Sequence, residues 1–267
     1  MKRFFSILLV AVLAVSPAMA QPASETHAVA SAEKTEIIVF AAASMTETMT
    51  TIKGLYEASN PNVTITYNFD SSGTLKTQIE NGADCDLFIS AAVKQMNALD
   101  EKNMVNKETK VNLLENKTTL AVPKDNPKNI TSFSQLADLL KSGNVFLAIG
   151  NSDVPVGQYT QKIFAYYGID EKAVASCLTY GSNVKEVTTQ VKAASVDCGI
   201  IYGTDAFSAG LQVVDTATSD MTGGRVIYPA AVLVGSKNTD AAKAFLEYLK
   251  GAEAMKVFEA VGFASAL

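Results

Sequence analysis

From Glu36 onward, apolar runs of strand length alternate with stretches of helical period, and the alternation begins twice. Glu36 to Ala41 is a buried-strand run, and after it apolar residues recur at Met45, Met49, Ile52 and Tyr56, a helical spacing that ends near Asn60-Pro61. Val63, Ile65, Tyr67 and Phe69 then alternate with polar residues, as in a strand with one buried face. Leu75 and Ile79 mark a short helix stopped by Asn81-Gly82, and Leu87 to Ile89 is another buried strand. The second round reads as strand (Val145 to Ile149), helix (Gly157 to Tyr167), strand (Cys177 to Tyr180), helix (Val184 to Ala194) and strand (Cys198 to Tyr202). Only an α/β fold satisfies this order, with mainly parallel sheets covered by helices on both faces.

The two rounds correspond in detail. Asp84 to Ile89 (DCDLFI) echoes Asp197 to Tyr202 (DCGIIY), and Ser44 and Ser72 have counterparts in Ser152 and Ser182. The separations all fall between 108 and 113 residues. Such near-equal offsets predict two lobes of one plan. Thr118 to Val122 reads as a strand crossing from the first lobe to the second. Val226 to Val234 crosses back, with Pro229 marking an irregular or edge position. Lobe 1 is therefore expected over 35–117 and 229–267, lobe 2 over 118–228, and the two crossings form a hinge.

The N-terminus stands apart from this fold. Met1-Lys2-Arg3, the uncharged apolar run Phe4 to Val15 and the small-residue pattern ending at Ala20 form a signal peptide over 1–20. The apolar run is too short to span a membrane, which takes about 20 residues. Residues 21–34 have no apolar period and read as a flexible leader, which holds the single histidine, His27. The expected location is the periplasm. Without the signal peptide the chain has 20 basic and 27 acidic residues, which argues against a nucleic-acid partner. An acidic protein that binds an anion must do so with local dipoles, not with its overall field.

In open α/β sheets ligands bind beyond the carboxyl ends of the strands, where helices begin. Four such junctions occur here: Ala43-Ser44-Met45, Ser71-Ser72-Gly73, Val154 to Gly157, and Ser182-Asn183-Val184; Tyr202 ends its own strand. A helix start offers unpaired N–H groups and about half a positive charge. With serine hydroxyls added, this suits a compact oxyanion without Lys or Arg. Taken singly, each serine is as well explained as a helix cap; four junctions facing one cleft favour a site.

Catalytic chemistry is poorly supplied. No histidine is available as a base for Ser44, so a Ser-His-Asp triad is missing a member. Neither a phosphate loop nor a GxGxxG motif opens a helix. Asp84 and Asp86 read as residues capping or flanking a strand, and Asp205 as a further carboxylate that could join a pair or a cation site. Lys76 and Lys185 read as solvated surface lysines. Three cysteines (Cys85, Cys177, Cys198) leave at least one thiol unpaired; buried free thiols are expected, with no Cys177–Cys198 bridge and no bare metal site.

Six segments carry a family resemblance: Val39 to Thr46, Phe69 to Leu75, Asp86 to Ala91, Val154 to Tyr159, Asn183-Val184 and Gly199 to Ala206. In this order, over Glu36 to Phe263, they resemble the molybdate-binding proteins of ABC transporters. The resemblance implies a type II periplasmic-binding-protein fold, acting as a monomer without a cofactor, that closes on molybdate or tungstate and hands it to a membrane permease. It implies that Ser44 and Ser72 each give a hydroxyl and an N–H, Val156 and Val184 an N–H, and Tyr202 a phenolic O–H. Two positions depart from the family's usual pattern. Val156 replaces an alanine and could narrow the wall, and Gly73 stands where some members have a second serine. Another oxyanion such as sulfate is the alternative ligand; an exported serine hydrolase or a surface interaction module are the alternatives of other classes.

Overall fold

The computed structural model describes residues 34–267. The expected signal peptide and nearly all of the leader, His27 included, lie outside the described residues.

The first round of the sequence pattern becomes β1 (Thr35–Ala42), α1 (Thr46–Ser59), β2 (Val63–Asp70), α2 (Ser72–Glu80), β3 (Leu87–Ile89), α3 (Val93–Glu101) and β4 (Val111–Asn116). One residue later the chain enters β5 (Thr118–Val122), followed by α4 (Phe133–Lys141). The second round is β6 (Leu147–Gly150), α5 (Pro155–Tyr166), β7 (Leu178–Gly181), α6 (Val184–Lys192) and β8 (Cys198–Tyr202). The chain continues through α7 (Gly203–Ala209), β9 (Gln212–Thr216) and α8 (Ser219–Thr222). It then returns in β10 (Val226–Val232) and closes with α9 (Thr239–Lys250), α10 (Ala252–Glu259) and β11 (Ala264–Ser265). No described helix is long and apolar enough to cross a membrane.

The strands form two sheets, ordered β11-β4-β10-β3-β1-β2 and β7-β6-β8-β5-β9. In each, the first strand of the round lies in the middle of a parallel triplet, its second strand on one side and its third on the other. The internal repeat thus appears as repeated topology. Beyond each triplet the neighbours are antiparallel: β10 beside β3, and β5 beside β8. The sheets are consequently mixed, with parallel pairing confined to the triplets. The expectation of mainly parallel sheets overlooked that a strand arriving from the other sheet enters against the triplet's direction. It also missed β4, β9 and β11, which extend that antiparallel side.

Pro229 lies in a central strand, where a residue without an N–H is normally excluded. The ladder accommodates it with a register shift between Tyr228 and Pro229 opposite β4. The irregularity read from sequence is present; the edge position is not. β10 is buried throughout, so its composition shows no inward–outward alternation.

All three thiols are free and buried. β6 lies between β7 and β8, which separates Cys198 from the start of β7 that follows Cys177. Burial, the largest cause, pushes the Cys85 thiol up to about 12 and raises that of Cys198 as well, so both stay protonated.

Candidate functional site

Beyond the carboxyl ends of β1, β2, β6, β7 and β8, the two sheets enclose one small cavity. Its walls include Ser44, Ser72, Val156, Val184 and Tyr202, so the five residues singled out in the sequence meet in one place. The cavity between these walls is only about 10 Å3, so the atoms that line it stand close together.

Local structure explains why these atoms face inward. α2 is capped by Ser71, whose Oγ accepts from the Thr74 N–H at 3.1 Å. The neighbouring Ser72 is thereby released from capping; its Oγ accepts from the Ala91 N–H at 2.9 Å, and its own hydrogen is free for the cavity. α6 is likewise capped by Asn183, which accepts from the Glu186 N–H at 3.1 Å. Glu186 reaches back to the Ser182 N–H, so Ser182 takes no part in the wall. Val184 is the first residue of α6 and Ser72 the first of α2, while Val156 follows Pro155 at the start of α5. Their N–H groups fall in first turns, where no preceding carbonyl of the helix is in reach. The capping reading of the serines therefore fails for Ser72 and Ser182, because adjacent residues hold those places.

Ser44 lies in a short 3-10 turn ahead of α1, and its Oγ meets the Tyr228 hydroxyl at 2.9 Å. Tyr202 is 1% exposed, and its hydroxyl has no hydrogen-bond partner. A buried hydroxyl left unpaired costs about 1–3 kcal/mol, so a polar atom without a partner at a convergence of donors is a site waiting for an acceptor. Burial, above all, keeps the Tyr202 phenol protonated and hence a donor.

Val156 lines the cavity. Its Cγ1 stands over Gly150, where an added Cβ would come within 2.9 Å of it, so glycine makes room for the larger side chain. Gly73 has a sharper role. A Cβ there would meet the Asp153 carbonyl oxygen at 2.2 Å, across the cleft between the sheets. Glycine lets the two sides close.

Three polar links join the same two sides. Asn183 donates to Asp70 at 3.3 Å, Gln95 to Gln158 at 3.4 Å, and Lys185 to both Glu47 oxygens at 2.9 and 2.7 Å. Lys185 also lies 3.0 Å from an oxygen of Asp205, which is fully buried. The expectation of a solvated Lys185 is therefore corrected: it is held between two carboxylates, one from each side of the cleft. Burial, only partly offset by Lys185, raises the Asp205 carboxyl to about 6. The same burial works against the charge on Lys185, but the two carboxylates outweigh it and leave the lysine above its ordinary value. Lys76 instead pairs with Glu80 within α2. Asp86 receives the N–H groups of Ile38 and Lys237 and the Ser236 hydroxyl, so it organises the start of α9. Among the described residues no cluster of His, Cys, Asp and Glu is arranged to hold a metal ion.

Sequence reasoning passed over Tyr228 and Asn116, which stand behind Ser44. Tyr228 sits on β10, where continuous burial leaves no pattern from which to pick out one polar atom, and Asn116 ends β4, whose mixed exposure gives no alternation that marks it.

Residues 37–264 match the sequence profile of the bacterial extracellular solute-binding proteins. A substrate-binding lipoprotein assigned to an ABC transporter, YvgL of Bacillus subtilis strain 168, is 36% identical over 235 residues, 87% of this chain and 88% of that one. The molybdate-binding protein ModA of Escherichia coli K12 is 35% identical over 237 residues, 87% of this chain and 90% of its own. Among solved structures, the periplasmic molybdate-binding protein of Azotobacter vinelandii superposes with a TM-score of 0.75 at 18% identity, covering 86% of this chain and 100% of its own. The sulfate-binding protein SubI of Mycobacterium tuberculosis H37Rv does so with a TM-score of 0.73, also at 18% identity, covering 87% of each chain. Both likenesses concern the fold alone, and the fold does not choose between the two anions.

Proposed function

The chain belongs to the family of bacterial extracellular solute-binding proteins, the binding components of ABC transporters and not enzymes, and from that premise we propose that its solute is molybdate, with tungstate as an equivalent ligand. The observation that carries the proposal is the unpartnered hydroxyl of buried Tyr202, set among two serine hydroxyls and the first-turn N–H groups of α2, α5 and α6. In this reading Ser44, Ser72 and Tyr202 donate O–H groups, and Ser44, Ser72, Val156 and Val184 donate N–H groups. Every contact is neutral; the helix starts supply the positive field. The protein is exported, its two lobes (35–117 with 229–267, and 118–228) hinge about the crossings, and as a monomer it hands the anion to a membrane permease.

Size provides the selectivity. Donors spaced for a large tetrahedral dianion leave some unpaired around a smaller one, at about 1–3 kcal/mol for each buried orphan. Two such losses separate molybdate from sulfate by tens- to hundreds-fold or more. Relatives that bind molybdate, at 30–35% identity across most of the chain, support this choice over sulfate.

Titration calorimetry of the mature protein with molybdate, tungstate, sulfate and phosphate tests it. Tight binding of the first two with weak or no binding of the others is expected. Preferred binding of sulfate would replace the proposed ligand, and no heat with any of the four would remove the oxyanion reading.

A further inference from the structure

Behind Ser44 a chain of hydrogen bonds orients the polar groups that back the cavity. The Lys117 N–H donates to Asn116 Oδ1 at 2.8 Å, which fixes the amide's direction, since only the oxygen can accept. Asn116 Nδ2 must then face the other way. It donates to Thr204 Oγ1 at 2.9 Å and to the Tyr228 hydroxyl oxygen at 3.2 Å, which uses both its hydrogens. Tyr228 accordingly accepts from Asn116, and the Ser44 Oγ, 2.9 Å away, is its one other partner. Donation of the phenolic O–H to Ser44 is the arrangement that leaves the buried Tyr228 hydrogen paired. Ser44 in turn accepts, and its own hydrogen has no protein acceptor, while the residue lines the cavity.

We propose that Tyr228 and Asn116 are positioning residues that lock Ser44 as a donor toward the bound anion, and that this lock contributes to the rejection of an anion carrying a proton. A serine hydroxyl can by itself either donate or accept. Were Ser44 free to turn, its oxygen could accept the O–H of hydrogen phosphate. With one lone pair of that oxygen already accepting from Tyr228, Ser44 presents its hydrogen to the anion, and the unpartnered Tyr202 hydroxyl is the wall group left free to turn. Ser72 is held in the same sense by the Ala91 N–H, but a backbone group holds it and no side-chain change releases it. Tyr228 is fully buried and outside the cavity wall, backing Ser44 by the hydrogen bond and Tyr202 by ring packing. Burial, its largest influence, keeps the phenol protonated and able to donate.

This inference rests on the oxyanion reading, and the test separates the two. At about pH 8, molybdate, sulfate and hydrogen phosphate are all dianions, and only phosphate carries a proton. Affinities for the three are measured by calorimetry, with displacement of molybdate for the weak ligands, in the wild type and in Tyr228→Phe. Molybdate binding by the wild type is the check on the ligand; its absence would overturn the reading and the inference together. In Tyr228→Phe the ratio of molybdate to phosphate affinity should fall by about tenfold or more, the worth of one hydrogen bond to a charged group. Sulfate controls for a loosened pocket, because it lacks the proton and should gain nothing. An unchanged ratio, or sulfate and phosphate gaining together, would overturn the inference while leaving the ligand reading intact. Should Tyr228→Phe fail to fold, Asn116→Leu decides on the same criterion, since it frees Tyr228 to turn and accept from Ser44.

Discussion

Replacing Tyr202 by phenylalanine isolates one atom. The ring packs edge-on against Tyr228 at 5.8 Å between centroids and against Tyr159 at 6.5 Å, and phenylalanine keeps both contacts. The hydroxyl makes no bond within the protein, so its loss breaks nothing in the unliganded molecule. Removing a buried orphan relieves up to about 1–3 kcal/mol of desolvation, and the anion-free variant should melt at or above the wild-type temperature. In the complex the variant loses a hydrogen bond to a charged ligand, worth about 1.5–3 kcal/mol, so the Kd should rise about 10- to 150-fold. At fixed excess molybdate the stabilisation by ligand shrinks by the same energy, which for a domain of this size is about 3–12 °C of melting shift. Calorimetry measures the first quantity, and melts with and without molybdate measure the second. A Kd within twofold of wild type would refute the reasoning. So would a lower melting temperature without ligand combined with an undiminished shift, because Tyr202 would then be a core residue and no more.

Other consequences follow from the closed cleft. Gly73→Ala places a Cβ against the Asp153 carbonyl and should hold the two sides apart; overpacking of this kind costs about 1–3 kcal/mol. That cost should appear in the molybdate Kd by calorimetry. Asp205, held near 6, binds its proton more tightly folded than unfolded. Its contribution to stability should therefore fall as pH rises from about 4 to about 6 and stay level above. Lys185→Met removes the cation beside this buried carboxylate. Urea melts should show the loss window extended above pH 6 and the deficit against wild type larger at pH 8 than at pH 5; equal deficits at both would discount the pairing.

Much of this protein is determined by its sequence because the signals involved are local and periodic. Buried runs and helical spacing identify the strands and helices of both rounds, and their offsets reveal a repeat that the sheets express as the same strand order within each parallel triplet. Ser44, Ser72, Val156, Val184 and Tyr202 are also legible as strand-to-helix junctions, since a junction is defined by its neighbours in the chain. Sheet direction beyond each triplet was not legible, because it depends on where a strand enters from the other sheet. Nor were the partners of side chains far apart in sequence. Lys185 reads as a surface lysine until Glu47, 138 residues away, closes on it. Tyr228 reads as one more apolar position in a buried strand until Ser44, 184 residues away, meets its hydroxyl. Sequence period records which face of an element is buried; which polar atom each buried group meets, and which way its hydrogen points, is set only when the two sheets come together.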